Sequence, residues 1–348
     1  MIPHNRVILA EPLDLETAFL DSTCLGTNIH YPVDWVLLRD ATRTLMGSVR
    51  LIRNRGLKHR MEEPETFISR INGLCIKMTH VWRGKDQSQS RRLRKQTLRQ
   101  MDRLVGTVRN HARRYRELLD EHWERTDWTR PQAEQVLRRM DQVLEQLPKA
   151  RQQARQRILQ GELVPNEDKI LSLYEADVHV IVRNKAGVEV EFGNTLFLAE
   201  NPQGAIIDWE FFRESAPADV ALLPRSVARM QQAYAPGPRG LGADRGFDSA
   251  RNRSVLEEEK IYNAVCPRSP QQLRKRNRSW KFKRLQRRRA QTEGRIGILK
   301  NVFLRGGIRS KGFAHRELTV TWTVLVHNLW VLARLPPAQA PEAKRLAA

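Results

Sequence analysis

Apolar positions along this chain keep two different periods, and the change from one to the other divides it. Residues 17 to 25, Thr-Ala-Phe-Leu-Asp-Ser-Thr-Cys-Leu, are rich in apolar and β-favouring types and predict a strand with one acid, Asp21, inside it. From about Asp34 to Gly161 the period becomes helical. Leu98, Met101, Val105, Val108, Ala112, Tyr115 and Leu119 recur at three-four spacing, and so do Val136, Met140, Val143, Leu147, Ala150 and Ala154. Each set draws one apolar stripe on a helix. Between them lies Thr126-Asp127-Trp128-Thr129-Arg130-Pro131, with cap residues and a proline suited to a first turn. The pair reads as a long helical hairpin whose stripes pack on each other, with Pro148 as a site for a kink.

The short period then returns. Val178 to Val182 and Val188 to Phe192 flank Arg183-Asn184-Lys185-Ala186-Gly187. Thr195 to Glu200 and Ala205 to Phe212 flank Asn201-Pro202-Gln203-Gly204. Both read as hairpins, the second more strongly. A helix over Ala218–Tyr234, a short strand Leu241–Asp244 ending on an acid, a helix over Asp248–Lys260, a strand Ile261–Cys266 and a helix over Phe282–Lys300 follow. Gly294 and Gly297 lie within the last of these, where glycine disfavours helix. Leu318 to Leu335 is interrupted by His327, Asn328 and Arg334 and is short for a membrane span, so it reads as a buried C-terminal helix. The order predicts a mixed α/β fold. Residues 1–33 form its first part, 34–165 a large all-helical insertion after the first strand, 166–335 the remainder, and 336–348 a flexible tail.

Charge narrows the partners. Sixty-one Lys and Arg against 39 Asp and Glu give a net charge of +22. Such an excess favours nucleic acid, whose phosphates these side chains neutralise. A membrane-surface protein would need an apolar anchor, and the first residues, Met1-Ile2-Pro3-His4-Asn5-Arg6, lack the apolar run of a signal peptide. The three cysteines, Cys24, Cys75 and Cys266, are odd in number and widely spaced, which fits a reducing compartment and no zinc site.

The charge is not evenly spread. From Arg268 to Lys311 there are sixteen Lys or Arg and a single acid, Glu293. One carboxylate kept inside such a field points to a metal ligand in a groove that holds a polyanion. Asp21, Asp244 and Glu293 come from separate elements and could together hold two divalent ions. Oxygen ligands suit Mg²⁺ or Mn²⁺, and two such ions neutralise the attacking and leaving oxygens of a phosphodiester. Carboxylates gathered without metal repel, so metal binding should tighten as pH rises. Each acid also has an ordinary reading. Asp21 could cap a neighbouring turn, Asp244 could sit in a strand-to-helix turn with Asp248 or Ser249 as cap, and Glu293 could pair with Arg289 or Lys300. Asp34 rivals Asp21 for the first position but precedes a helix and looks like an N-cap.

The segment Ala243-Asp244-Arg245-Gly246-Phe247-Asp248-Ser249 resembles the second-aspartate motif of bacterial insertion-sequence transposases with an Asp-Asp-Glu triad. Three residues separate Arg289 from Glu293 and six separate Glu293 from Lys300, as in the tyrosine-arginine-glutamate-lysine signature of a subgroup of these enzymes. The tyrosine of that signature falls at position 286, which here is Gln286. Leu20-Asp21-Ser22-Thr23, followed by Asn28-Ile29-His30-Tyr31-Pro32-Val33-Asp34, is similar to their first-aspartate region.

The resemblance implies a ribonuclease-H-like mixed sheet flanked by helices, with Asp21 and Asp244 on adjacent strands and Glu293 on a helix beside them. It implies two Mg²⁺ or Mn²⁺ ions, strand cleavage at transposon ends and transfer of the freed 3′-hydroxyl into target DNA. Expected partners are terminal inverted repeats, target DNA and a second copy in a synaptic homodimer, in a bacterial cytoplasm near the nucleoid. Arg289 and Lys300 would contact phosphates near the cut, with Arg245 and Arg295 also expected to bind DNA. Trp280 and Phe282 could stack on an unpaired base or anchor their helix to the core.

Only about sixteen residues precede the first strand, where related transposases commonly carry a separate end-binding region. Either the helical insertion and the basic C-terminal region bind the ends, or the reading frame is truncated. The alternatives are a non-catalytic nucleic-acid-binding protein, or a ribonuclease-H-like nuclease without strand transfer.

Overall fold

The computed structural model describes residues 12–27, 29, 32–82, 87–185 and 188–336. The expected tail beyond Pro336, the residues up to Glu11 and most of the stretch from Asn28 to Tyr31 lie outside them. The described residues fall into two compact units. One holds those up to 27 together with those from 181 onward, and the other holds those from 29 to 180.

The second unit is built by four helices: α1 (Asp34–Asn54), α2 (Pro64–Trp82), α3 (Gln87–His122) and α4 (Arg130–Ala154). The stripe from Leu98 to Leu119 on α3 is fully buried. It meets Met140, Val143, Leu147, Ala150 and Ala154 of α4 in one core shared with α1 and α2. The turn between α3 and α4 is held as its sequence suggests, with the Thr129 N–H donating to Gln132 Oε1 at 2.9 Å. α4 continues through Pro148 and ends in a wider π-helical turn over Arg155–Gln160. The unit extends past the helices to residue 180 because Leu173 and, less deeply, Ile170 pack back onto the helical core.

The first unit is a mixed sheet with helices. Its strands are β1 (Thr17–Gly26), β2 (His179–Lys185), β3 (Val188–Glu200), β4 (Ile206–Phe211), β5 (Gly240–Ala243) and β6 (Tyr262–Val265). The order is β2-β3-β1-β5-β6, with β4 also on β3. β3 runs antiparallel to β1 and β4, whereas β5 runs parallel to β1 and β6 parallel to β5. The two strands expected on either side of Gly193 are one long strand. A Cβ at Gly193 would stand 2.1 Å from the Leu25 carbonyl oxygen, so glycine here marks close approach to β1, not a break. The Asn201–Gly204 turn closes as predicted, with Asn201 Oδ1 accepting from the N–H groups of Gly204 and Ala205.

Helices α5 (Asp219–Ala233), α6 (Ala250–Glu258), α7 (Pro270–Arg276), α8 (Trp280–Ile298) and α9 (Phe313–Leu332) complete the unit. Alternation along β1 sends Ala18 and Leu20 into a core with Leu222, Val227 and Leu256, from α5 and α6. Phe19 goes to the other face, with Phe282 and Leu285 of α8. α9 corrects the expectation of a buried helix. Phe313, Val320, Val324 and Val331 are buried, but Leu318, Trp322, Val326 and Leu329 form an exposed stripe on the other side. Among the described residues no helix is long and apolar enough to cross a membrane.

Candidate active site

Register brings the first two acids level. Phe19 on β1 pairs with Gly242 on β5 in the parallel ladder. Asp21 lies two residues beyond Phe19 and Asp244 two beyond Gly242, so both stand at the C-terminal edge of the ladder. Ligands of open α/β sheets gather at such edges. Gly242 permits this register, because a Cβ there would meet the Phe19 ring at 2.9 Å. Phe19 and Asp21 share a strand face by the two-residue alternation, and that face carries α8.

Each aspartate has one oxygen held by the backbone and one left for other work. Asp21 Oδ1 accepts from the Ser22 N–H at 2.8 Å. Asp244 caps the following turn, its Oδ1 accepting from the Gly246 N–H at 2.7 Å. The two remaining oxygens face the same guanidinium. Arg289 Nη2 lies 3.2 Å from Asp21 Oδ2 and 3.6 Å from Asp244 Oδ2, while its Nη1 lies 3.5 Å from Glu293 Oε1. The structure therefore brings all three sequence-predicted carboxylates around one cation of the protein itself. Their exposures grade outward, from 11% of the side chain for Asp21 through 39% for Asp244 to 62% for Glu293.

α8 explains why that cation points inward. Ser279 caps the helix. Phe282, Leu285, Thr292 and Ile296 form its buried stripe, and Arg289 falls in the gap of that three-four pattern. Only 14% of its side chain is exposed, and its Nε is buried without a hydrogen-bond partner. The departure at position 286 has a local role. Gln286 Nε2 donates to the Ala243 and Ala264 carbonyls, tying α8 to the ends of β5 and β6.

A second clamp went unforeseen. Glu200, at the end of β3, accepts from Arg288 Nη1 at 2.8 Å and from Thr292 Oγ1 at 2.8 Å. Arg288 also donates to the carbonyls of Pro202 and Asn201 and stacks over Phe19. A buried acid ending an apolar strand was the available signal. Nothing in the spacing named its partners.

The other expected DNA contacts are scattered around this centre. Arg295 reaches toward buried Glu200, Lys300 Nζ lies 3.9 Å from Glu191 Oε1, and Arg245 is exposed. Phe282 is buried against the sheet, whereas Trp280 is exposed with Arg284 over its ring. Asp34, the rival first acid, accepts from Arg157 and Gln153 within the helical unit.

The electrostatics of the centre follow from its geometry. Burial pushes the Asp21 carboxyl up to about 6, and the nearby charges of Asp244 and Glu293 push the same way. Arg289 and the Ser22 N–H oppose them without winning. This donor set is all carboxylate oxygen, the chemistry that hard divalent cations prefer. Yet among the described residues no three His, Cys, Asp or Glu side chains lie close enough to hold a metal as they stand. The acids are spread around a guanidinium, so the centre fits a cation in charge and donor type while a side chain fills its middle.

Residues 202–329 match the transposase DDE domain family. The matched segment contains Asp244, Arg289 and Glu293 and begins after Asp21. No curated protein and no solved structure matches the chain.

Proposed function

We propose that this chain is a divalent-metal-dependent DNA transposase of the Asp-Asp-Glu class, with Asp21, Asp244 and Glu293 as its metal-binding carboxylates. One observation carries the reading: three acids from β1, the end of β5 and α8 meet on a single guanidinium. Two of them belong to the segment that matches the transposase family, and the third enters through the strand paired with β5. A sheet with the order β4-β3-β1-β5-β6 and its first three strands antiparallel supports a ribonuclease-H-like core. The helical unit, entered after β1, then stands as an insertion into that core.

Bound at these oxygens, divalent ions would supply charge neutralisation on the attacking and leaving oxygens of a phosphodiester and a more acidic water. The chain supplies the positions. Backbone N–H groups fix one oxygen of each aspartate and leave the other directed at the shared centre. α8, locked by the Glu200 clamp, carries Glu293 at the solvent side, where DNA must enter. In the first reaction the oxygen of water forms a bond to phosphorus and gives up a proton, the P–O3′ bond breaks, and the leaving 3′-oxygen takes a proton. In the second, that 3′-hydroxyl attacks a target phosphodiester, loses its proton and releases a target 3′-oxygen. Arg245, Arg289, Arg295 and Lys300 are the candidate phosphate contacts, and two copies would pair two transposon ends.

The test uses duplexes cut from the DNA on either side of the coding region, chosen by a search there for matched inverted repeats, with Mg²⁺. Asp21→Asn, Asp244→Asn and Glu293→Gln should each abolish strand cleavage and leave gel-shift binding to the same DNA largely intact. Full cleavage by any of the three would refute the assignment. Cleaved ends without joined target product would move the reading to a nuclease.

A further inference from the structure

We propose that Arg289 is a placeholder cation: it occupies the middle of the carboxylate centre in the metal-free protein and must leave it for a divalent ion to bind. The inference rests on the transposase reading for the site and assigns Arg289 a role there that phosphate contact does not cover.

Four observations support it. The guanidinium touches all three acids, with Nη2 at 3.2 Å from Asp21 and 3.6 Å from Asp244 and Nη1 at 3.5 Å from Glu293. Only the Asp21 contact has hydrogen-bond geometry, so the group sits among the acids instead of clasping one of them in a two-pronged pair. Its depth is imposed by the helix, since position 289 completes the buried stripe of Phe282, Leu285, Thr292 and Ile296. Among the described residues the other acid buried beneath α8, Glu200, is already taken by Arg288 and Thr292.

Size and charge then make occupancy exclusive. Mg²⁺ binds oxygen at roughly 2.0–2.1 Å, so the carboxylates would have to close into the space the guanidinium fills. A divalent ion and a guanidinium held among the same carboxylates also repel. The two cations compete for the same oxygens, and each lowers the apparent affinity of the other. The device has a purpose: three acids gathered with nothing between them would destabilise the empty fold, and the arginine offsets that until metal arrives.

Two measurements on the full chain, both without DNA, decide it. Mg²⁺ titration by calorimetry should show Arg289→Gln binding about tenfold more tightly than wild type, a change that corresponds to about 1.4 kcal/mol. The metal-free variant should melt lower than wild type, and Mg²⁺ should raise its melting temperature by the larger amount. In parallel, arginine side-chain NMR of the wild-type protein reads the guanidinium directly. The Arg289 signal, assigned by its loss in Arg289→Lys, should show restrained rotation without metal and faster rotation at saturating Mg²⁺. An Arg289 signal unchanged by bound Mg²⁺, or an Arg289→Gln protein that binds no more tightly, overturns the placeholder and leaves the metal site standing. If neither wild type nor variant binds Mg²⁺, the site reading falls and this inference with it. Should Arg289→Gln fail to fold, the wild-type NMR measurement is sufficient.

Discussion

At the scale of single residues, Asp21 holds the most informative position. Its carboxyl is buried beside two other acids, and burial lifts its pKa from 3.8 to about 6. The folded state therefore takes up a proton as pH falls through about 6, and the metal-free protein gains stability from this group toward pH 4. The contribution is complete below the ordinary carboxyl value and lost as pH rises past 6. Asparagine has no charge to bury. In EDTA, Asp21→Asn should melt higher than wild type at pH 8, with the difference closing by roughly 2 kcal/mol by pH 4. Thermal denaturation at the two pH values checks this, and a pH-independent difference would mean that the carboxylate is not penalised. The three acids stood out as candidates by residue type, spacing and motif resemblance, and the structure brings them around one guanidinium. The inward aim of Arg289 was not, because its helical neighbours are mostly charged and the apolar stripe through positions 282, 285, 292 and 296 is short. Ion pairing between residues far apart in sequence leaves no periodic trace.

At the scale of elements, α8 is held by polar contacts as much as by apolar ones. Glu200 lies beneath it with 2% of its side chain exposed and takes both Arg288 and Thr292. Removing one partner of a buried pair leaves a charge without compensation. Glu200→Ala should cost about 3–5 kcal/mol in urea denaturation. The double substitution Arg288→Met with Glu200→Met should cost less than the sum of the two single ones, which a double-mutant cycle measures. The helix also carries a concession. A Cβ at Gly294 would meet nothing within 4 Å, so Gly294→Ala should stabilise the protein by roughly 0.5–1 kcal/mol. A melting curve reads the gain, and a loss would mean that the backbone there needs glycine for a reason other than space. Of the element boundaries, those of β1, α5 and α8 were readable within a few residues. α7 was missed, since its seven residues, Pro-Gln-Gln-Leu-Arg-Lys-Arg, offer Leu273 alone beside the proline and so draw no apolar stripe. β3 was split in the sequence reading because Gly193 and Asn194 look like a turn until β1 is placed against them.

At the scale of the whole chain, a net charge of +22 and the basic run around Glu293 predict a binding mode dominated by phosphate contacts. If six to ten phosphates are neutralised, DNA affinity should fall by about 10³–10⁵ between 50 and 200 mM salt. Fluorescence anisotropy with a labelled duplex gives the slope, and a flat dependence would exclude a groove that tracks the backbone. The exposed stripe of Leu318, Trp322, Val326 and Leu329 on α9 escaped the sequence reading, because a helix apolar on both faces looks like a buried one. By itself the sequence determined most of the succession of strands and helices and the basic surplus. Those are properties of local period and composition, and each is carried by near neighbours in the chain. Only the tertiary structure decided that the acids converge, that they do so around Arg289, and that Glu200 secures the helix bearing two of the four groups. These are meetings between residues up to 268 positions apart, and strand register and helix rotation set them after the chain has closed.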